Sequence, residues 1–358
     1  MRTLLLPLLL AAAGCATAGT RTRGTVPAAE RTLRGEEFRV VGSTATRDGD
    51  AFDAQLLFDR AIAHMRAQRC ADALPVLDQL LRQFPASAVV PLAQYNRGLC
   101  LQRAQQFAPA ADAMREAARS SENELAHDAL LRVAALGEAA QTPAWVIEGT
   151  DALAARAIPL TITERVEVAA RRASARLAQG DLDAADREST AAIALAPTEE
   201  AVRALDDDTH AAEARVVAAE ITRRRAGEVR YEVGSAEAEG AIVRRVQLVM
   251  HAHVQFNEAI RAGNPDWAAA AGFRIGEMYR DLYDSIVGAP VPADWDDRQR
   301  EIYRTRTAER LRPLLQGALR SWESTLVMAR RTGITGNTWV QRAGEAVERL
   351  RAAVAAGP

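Results

Sequence analysis

The 358 residues carry a formal net charge of −2, with 45 basic against 47 acidic side chains, which excludes the electrostatic footprint of a nucleic-acid-binding protein. Every basic residue is arginine, alanine is dense and aromatics make up only 5 %, the composition of an all-α chain whose small side chains let helices approach closely. The length suits two domains or one long solenoid.

The chain opens M-R-T-L-L-L-P-L-L-L-A-A-A-G-C. Arg2 is a short positive start, Leu4 to Leu10 form an apolar run interrupted by Pro7, and Ala11 to Gly14 are small, the layout of a secretory signal over residues 1–14. The run is too short for a permanent membrane span, which needs about 20 apolar residues. Cys15, preceded by Ala12-Ala13-Gly14, resembles the lipobox cysteine of bacterial lipoproteins, although the leucine usual at the position of Ala12 is displaced to Leu10. An ordinary signal cleaved after a small residue is the alternative. The resemblance implies that Cys15 becomes the mature N-terminus and carries acyl chains, two or more of which anchor stably to a membrane. Ala16, where an aspartate would favour inner-membrane retention, implies the outer membrane, facing the periplasm. The stretch 15–50 lacks sustained periodicity and is rich in Gly, Thr and charge, the pattern of a flexible tether behind the lipid.

From residue 51 a repeat emerges. Ala61 is followed twelve residues later by Ala73, then Leu77, Leu80 and Pro85; Gly98 by Ala110, then Met114 and Ala117; Ala173 by Ala185, then Ser189, Ala192 and Pro197. Gln179-Gly180-Asp181-Leu182 supplies a tight turn between two helices, with Gly180 giving the backbone freedom. These segments resemble tetratricopeptide repeats, which set small residues where two antiparallel helices meet. A poorer unit lies between them, where Ala135, Ala154 and Pro159 match but Ile147 is too large for the small slot of the second helix. The resemblance covers 51–198 and implies an α-α superhelix; a plain helical bundle is the alternative.

Residues 199–358 form a C-terminal helical region with one degenerate repeat. A single charged helix is expected over 198–226, capped by Thr198, with Arg223-Arg224-Arg225 at its end as a solvated terminus or a basic docking patch. Further helices are expected over 236–262, ending at Gly263; from Pro265 through G-E-M-Y; from Asp297 to about Arg331, bent at Pro313; and from Thr338 to Ala356. Pro265 with Trp267, the R-I-G-x-x-Y of Arg274 to Tyr279, the P-V-P of Pro290 to Pro292 and Trp339-Val340, over 260–350, bear a weak resemblance to repeat-containing envelope and gliding-motility lipoproteins.

No G-x-S-x-G, H-E-x-x-H, Walker or dinucleotide motif occurs, and no cofactor or metal is expected. His251 and His253, two apart on a helix, point to different faces. Lytic transglycosylases pair a helical superhelix with a catalytic glutamate domain, but no motif of that kind is found, leaving a cell-wall enzyme or its substrate-binding subunit as the alternative reading. Cys70 and Cys100, placed in an oxidising periplasm, suit a staple between adjacent repeats or two buried thiols. The repeat resemblance implies a concave binding face lined by first helices, at Phe58, Ile62, Met65 and Arg66 and at Tyr95, Leu99, Gln102 and Arg103. Arg66 and Arg103 occupy equivalent places there, set to clamp a partner carboxylate; Phe58, Ile62 and Met65 equally suit packing between helices. The sequence thus reads as a scaffold lipoprotein that binds other envelope proteins through its helical groove and the membrane through Cys15.

Overall fold

The structure, a computed structural model, describes residues 49–119, 123–156 and 159–356. The expected signal 1–14, the expected lipidation site Cys15 and the expected tether up to residue 48 lie outside the described residues. Among the described residues there are fourteen helices and no strand. Four helical hairpins come first: α1 (Gly49–Arg66) with α2 (Cys70–Gln83), α3 (Val90–Arg103) with α4 (Phe107–Arg119), α5 (Asn123–Ala139) with α6 (Pro143–Ala155), and α7 (Ile162–Ala178) with α8 (Leu182–Leu195). The short α9 (Glu199–Arg203) follows, then two longer hairpins, α10 (Thr209–Glu228) with α11 (Ala238–Arg261) and α12 (Pro265–Val287) with α13 (Asp297–Thr332), and a closing α14 (Thr338–Ala356).

The turns inside the first four hairpins share one construction. Gln68, Gln105, Gln141 and Gly180 all adopt positive φ, at 61°, 57°, 52° and 81°. Each left-handed residue donates its N–H to the carbonyl three residues back, and the next residue donates to the carbonyl five residues before itself, as in Gln105 to Gln102 (2.9 Å) and Gln106 to Leu101 (2.9 Å). This pair of bonds satisfies carbonyls that a helix end would otherwise leave open and turns the chain straight into the second helix. After Gly180, Asp181 caps α8 by accepting the Ala184 N–H at 3.0 Å.

The shared turn gives the register of each unit. Ala61, Gly98 and Ala173 each stand seven residues before the left-handed residue of their turn. The same offset in the third unit selects Ala134, and twelve residues on Val146, so the register lies one residue earlier than Ala135 and Ile147. Ala134 and Val146 are buried and pack together with Ala175 of the next unit. A valine fits because glycines open the space around it. A Cβ at Gly137 would meet the Val146 nitrogen at 2.8 Å, and one at Gly149 would meet the Leu130 carbonyl oxygen at 2.7 Å.

Every second helix packs on the first helix of the next unit, and first helices also stack on one another: α3 on α5, α5 on α7, α7 on α10, α10 on α12 and α12 on α14. The hairpin stack therefore runs without a break in its contact pattern from α1 to α14, and α14 stands where a seventh first helix would. The core follows this line, with Phe58, Met65, Leu77, Leu80, Leu99 and Met114 fully enclosed in the N-terminal part and Phe256, Met278 and Trp322 in the C-terminal part. Each such side chain contributes about 1.5–3 kcal/mol through burial.

The single helix expected over 198–226 is two helices. Thr198 caps the first through the Ala201 N–H at 3.1 Å. The helix then stops at Arg203, and the next begins only at Thr209, whose N–H (3.0 Å) and hydroxyl (2.7 Å) are both accepted by Asp207 in a local bond that competes with a continuous helix. Downstream, α11 ends before Gly263 at φ +92°, α12 starts with Pro265 behind the Asn264 cap, and α13 stays helical through Pro313.

Candidate functional site

Six of the eight expected groove residues are core residues. Phe58, Ile62, Met65, Tyr95, Leu99 and Gln102 are all 3 % exposed or less. Phe58, Ile62, Met65, Tyr95 and Leu99 belong to one core with Ala73, Leu77 and Leu80 of α2 and Ala110 and Met114 of α4, so they pack against the second helices rather than facing a partner. The Tyr95 hydroxyl accepts the Nε–H of buried Arg132 at 3.0 Å. Gln102 is enclosed with neither its amide nitrogen nor its amide oxygen hydrogen-bonded among the described residues. Arg103 is half-buried and donates to the Gln68 side chain at 2.8 Å, tying two consecutive turns together, and Arg66 is exposed. The paired arginine clamp is thereby divided between a turn contact and open surface.

The first helices instead assemble a buried ionic cluster. Arg171 of α7, 2 % exposed, donates Nε to Glu167 at 2.9 Å and Nη1 to Glu138 of α5, while its Nη2 lies 3.5 Å from His210 Nε2 of α10. His210 Nδ1 meets Glu213 at 2.8 Å, and the other oxygen of Glu213 accepts the Ser174 hydroxyl. Helical spacing places these groups: Glu167, Arg171 and Ser174 recur at three- and four-residue intervals on one face, as do His210 and Glu213. Burial and the charge of Arg171 push the His210 imidazole down, but the hydrogen bond and charge of Glu213, with the charge of Glu167, outweigh them and hold it above its ordinary value. Burial pushes Glu167 and Glu213 up, yet Arg171 and His210 bring both below the usual carboxylate range. For Glu138 burial wins over Arg171, and the carboxyl sits above its ordinary value.

This arrangement ties α5, α7 and α10 together and differs from a nucleophile triad in its order. In a serine nucleophile the imidazole stands between hydroxyl and carboxylate. Here the carboxylate of Glu213 stands in the middle, and held below the usual carboxylate range by His210 and Arg171 it is a weak base for the Ser174 hydroxyl. Two cavities lie away from the cluster: one of about 250 Å³ among α8 to α11, and an open one of about 380 Å³ beside Arg60, Asp72 and Gln79. No group of three or more His, Cys, Asp or Glu able to hold a metal occurs among the described residues. His253 is spent on Tyr279, whose hydroxyl is 3.1 Å from its Nδ1, and His251 is exposed.

A second charged knot joins α10 to α8 and α12. Arg223 grips Glu220 with two bonds of 2.7 and 2.8 Å and reaches Asp281 at 2.9 Å. Arg224 bonds Glu220 and the Leu177 carbonyl, and Arg225 bonds Asp186 at 2.7 Å and Asp183 at 3.0 Å. The triple arginine is therefore neither a solvated end nor a docking patch but a tie between consecutive hairpins. Glu220, at three and four residues before two of the arginines, is the visible signal for it. Cys70 at the start of α2 and Cys100 in α3 are joined as a disulfide, with Cα atoms 5.1 Å apart, across the joint between units one and two.

With charges paired inside the stack, the surface feature that stands out is apolar. Val243, Met250 and Val254 of α11 are 41, 61 and 51 % exposed and recur on one face of a 24-residue helix. The opposite face of α11 packs on α10 and α12. No helix among the described residues is long and apolar enough to cross a membrane.

No family model matches the chain, and none of the curated proteins searched matches it. Among solved structures, a double mutant of MamA (RS-1) is similar at 17 % identity, covering 50 % of this chain and 98 % of its own, with a TM-score of 0.35. A tetratricopeptide repeat protein from Parabacteroides merdae is similar at 11 % identity, covering 84 % of this chain and 99 % of its own, with a TM-score of 0.40. The assignment of hairpin units rests on the turns and packing described above.

Proposed function

We propose that the chain is a scaffold lipoprotein of the bacterial outer membrane, held on the periplasmic face by lipid on Cys15, whose hairpin stack binds other envelope proteins in a complex of outer-membrane assembly or motility. The observation that carries the reading is the ridge of Val243, Met250 and Val254. A monomer gains nothing by keeping three large apolar side chains on one helical face in water, whereas an amphipathic helix of a partner protein docks on such a ridge through anchors at matching helical spacing. The ion-paired interior is consistent with this: it stiffens the stack, so that the ridge is presented without an ordering cost at binding.

Two measurements in cells test the two halves. Labelled palmitate is expected to enter the wild-type chain and not Cys15→Ser; equal labelling of both would remove the anchor. A photocrosslinking residue at position 250 is expected to trap a defined envelope protein, and Val254→Glu to abolish that product at unchanged protein level. A Val254→Glu chain that crosslinks as well as wild type would remove the ridge.

A further inference from the structure

The joint between the fourth and fifth units differs from the three before it. There three to six residues separate one second helix from the next first helix; here the thirteen residues 196–208 intervene and include α9. The insertion leaves a cavity of about 250 Å³ among α8, α9, α10 and α11, with Ile193, Pro197, Val202 and Ala262 as its apolar wall.

Two arginines and two carboxylates line this cavity: Glu199 is held by Arg203 at 3.5 Å and Arg261 stands beside Glu258 on α11, whereas Arg215 and Glu258 face each other without meeting. Arg215 of α10 is 8 % exposed and donates Nη1 to the Ala211 carbonyl at 2.9 Å and Nη2 to the Ala196 carbonyl at the end of α8. No carboxylate of the described residues lies within 4 Å of its guanidinium, unlike Arg171, Arg172 and Arg223, each of which holds two. Burial alone pushes Arg215 down, partly offset by the charge of Glu258 across the cavity. Glu258 of α11 lies at the rim, exposed, with no arginine within 4 Å. A buried guanidinium without a counter-ion is costly, because the desolvation is not repaid by a close opposite charge. The two carbonyls use two of the five guanidinium N–H groups, so donors remain for an anion.

We propose that this cavity binds a zwitterion of amino-acid size, its carboxylate on Arg215, its ammonium on Glu258 and its apolar side chain against Ile193, Pro197 and Val202. The site closes the gap that the two charges leave open: the ligand supplies each with the partner it lacks. A dianion such as phosphate is disfavoured because the lining is balanced in charge, with Glu199 and Glu258 set against Arg215 and Arg261. The inference stands apart from the scaffold reading, since it uses neither Cys15 nor the ridge on α11.

Isothermal titration of the full chain with leucine, N-acetyl-leucine and leucine amide tests it. Leucine is expected to bind saturably, one per chain. The amide, which lacks the carboxylate, is expected to lose roughly tenfold or more, the worth of a charge-assisted hydrogen bond. N-acetyl-leucine lacks the ammonium and is expected to bind more weakly than leucine. Arg215→Met also strips two helix carbonyls of their donor and risks the fold, so Glu258→Gln decides: it should weaken leucine several-fold and leave N-acetyl-leucine unchanged. No saturable heat with leucine, an amide that binds as well as leucine, or equal loss of both carboxylate ligands on Glu258→Gln would overturn the proposal and leave Arg215 as a helix cap only.

Discussion

In the first four hairpins, helices of 13–18 residues meet across a tight turn built on one left-handed residue. In the last two, helices of 20–36 residues are joined by the loops 229–237 and 288–296, which bond each other where the Val233 N–H donates to the Pro290 carbonyl at 2.8 Å. A tight turn fixes the register of its two helices locally, so small residues twelve apart are enough to place the contact. A long loop leaves the register free, and the contact must be specified by the helices themselves. In the last hairpin glycines receive large side chains: a Cβ at Gly276 would meet Trp322 Nε1 at 2.1 Å, and one at Gly272 would meet Thr325 Oγ1 at 2.3 Å. Hydrogen bonds then lock the pair, from Ser321 to the Gly272 carbonyl at 2.8 Å and from Trp322 Nε1 to the Phe273 carbonyl at 3.0 Å. One architecture is thus held by turn chemistry at one end and by interdigitation at the other.

The largest expected separation of the two ends comes from the disulfide, which lies wholly in the first two units. Reducing it, or Cys70→Ser with Cys100→Ser, is expected to cost about 2–4 kcal/mol by releasing the unfolded chain. Four of the five tryptophans, Trp267, Trp295, Trp322 and Trp339, lie in the last two hairpins and α14, so tryptophan fluorescence follows that end while circular dichroism follows the whole. In urea, reduction should move an early part of the dichroism transition and leave the fluorescence transition in place. Coincident shifts of both probes would show that the stack unfolds as one unit and would dissolve the comparison.

Gly276→Ala is the mirror experiment. The added methyl overlaps an aromatic ring that is 1 % exposed and hydrogen-bonded, so it cannot swing aside, and a loss of about 1–3 kcal/mol is expected in the fluorescence transition. Gly98→Ala meets only the flexible end of Met114, at 2.7 Å, and should cost clearly less. A larger loss at Gly98 would invert the argument that the C-terminal contact is the more exacting.

The cluster of Arg171, Glu138, Glu167, His210 and Glu213 sits where the two ends meet, and its titration probes the joint. His210 is held above its ordinary value, so its contribution is complete below about pH 6.5 and is lost as pH rises through the raised value. Glu138, also raised, fades in the same direction from about pH 4.5 upward. Glu167 and Glu213 are lowered, so theirs is present above about pH 4.5 and is lost as pH falls through the depressed values. A tenfold difference in proton affinity between the folded and unfolded chain corresponds to about 1.4 kcal/mol of stability. Melting temperature should therefore decline from pH 6 to 9, and His210→Gln should flatten that decline. A decline that His210→Gln leaves unchanged would place the alkaline sensitivity elsewhere.

Most helix positions and three of the four repeat registers are legible in the sequence, since they rest on local chemistry: Thr198 and Gly180 announce themselves and small-residue pairs twelve apart define a contact, whereas the break between Arg203 and Thr209 is not foreseen. The third register is misread by one residue because Val146 violates the small-residue rule, and its compensation lies in Gly137 and Gly149, visible only once the helices are paired. The groove residues are misplaced for a related reason. A first-helix position faces a groove only when it lies off the seam with the second helices, and the equivalent-position frame does not report which side of α1 and α3 that seam takes. The ionic cluster is invisible in the sequence, because Glu138, Arg171 and His210 are more than thirty residues apart and each alone resembles a solvated charge.

The smallest effect tests the turns themselves. A left-handed conformation costs a residue with a Cβ about 1–2 kcal/mol, which glycine avoids at an entropic cost of roughly half that. Gln105→Gly and Gln141→Gly should therefore stabilise the N-terminal hairpins by about 0.5–1 kcal/mol each, and Gly180→Ala should destabilise by a similar amount. At Gly180 no atom lies within 4 Å of an added Cβ, so a loss there reports backbone strain alone. Gln68→Gly is the informative exception, since it also removes the amide that receives Arg103 at 2.8 Å. A gain at Gln105 and Gln141 without a gain at Gln68 would assign stability to that turn-to-turn contact. Equal gains at all three would show that the contact contributes nothing and that the first four hairpins are held in register by backbone geometry and packing.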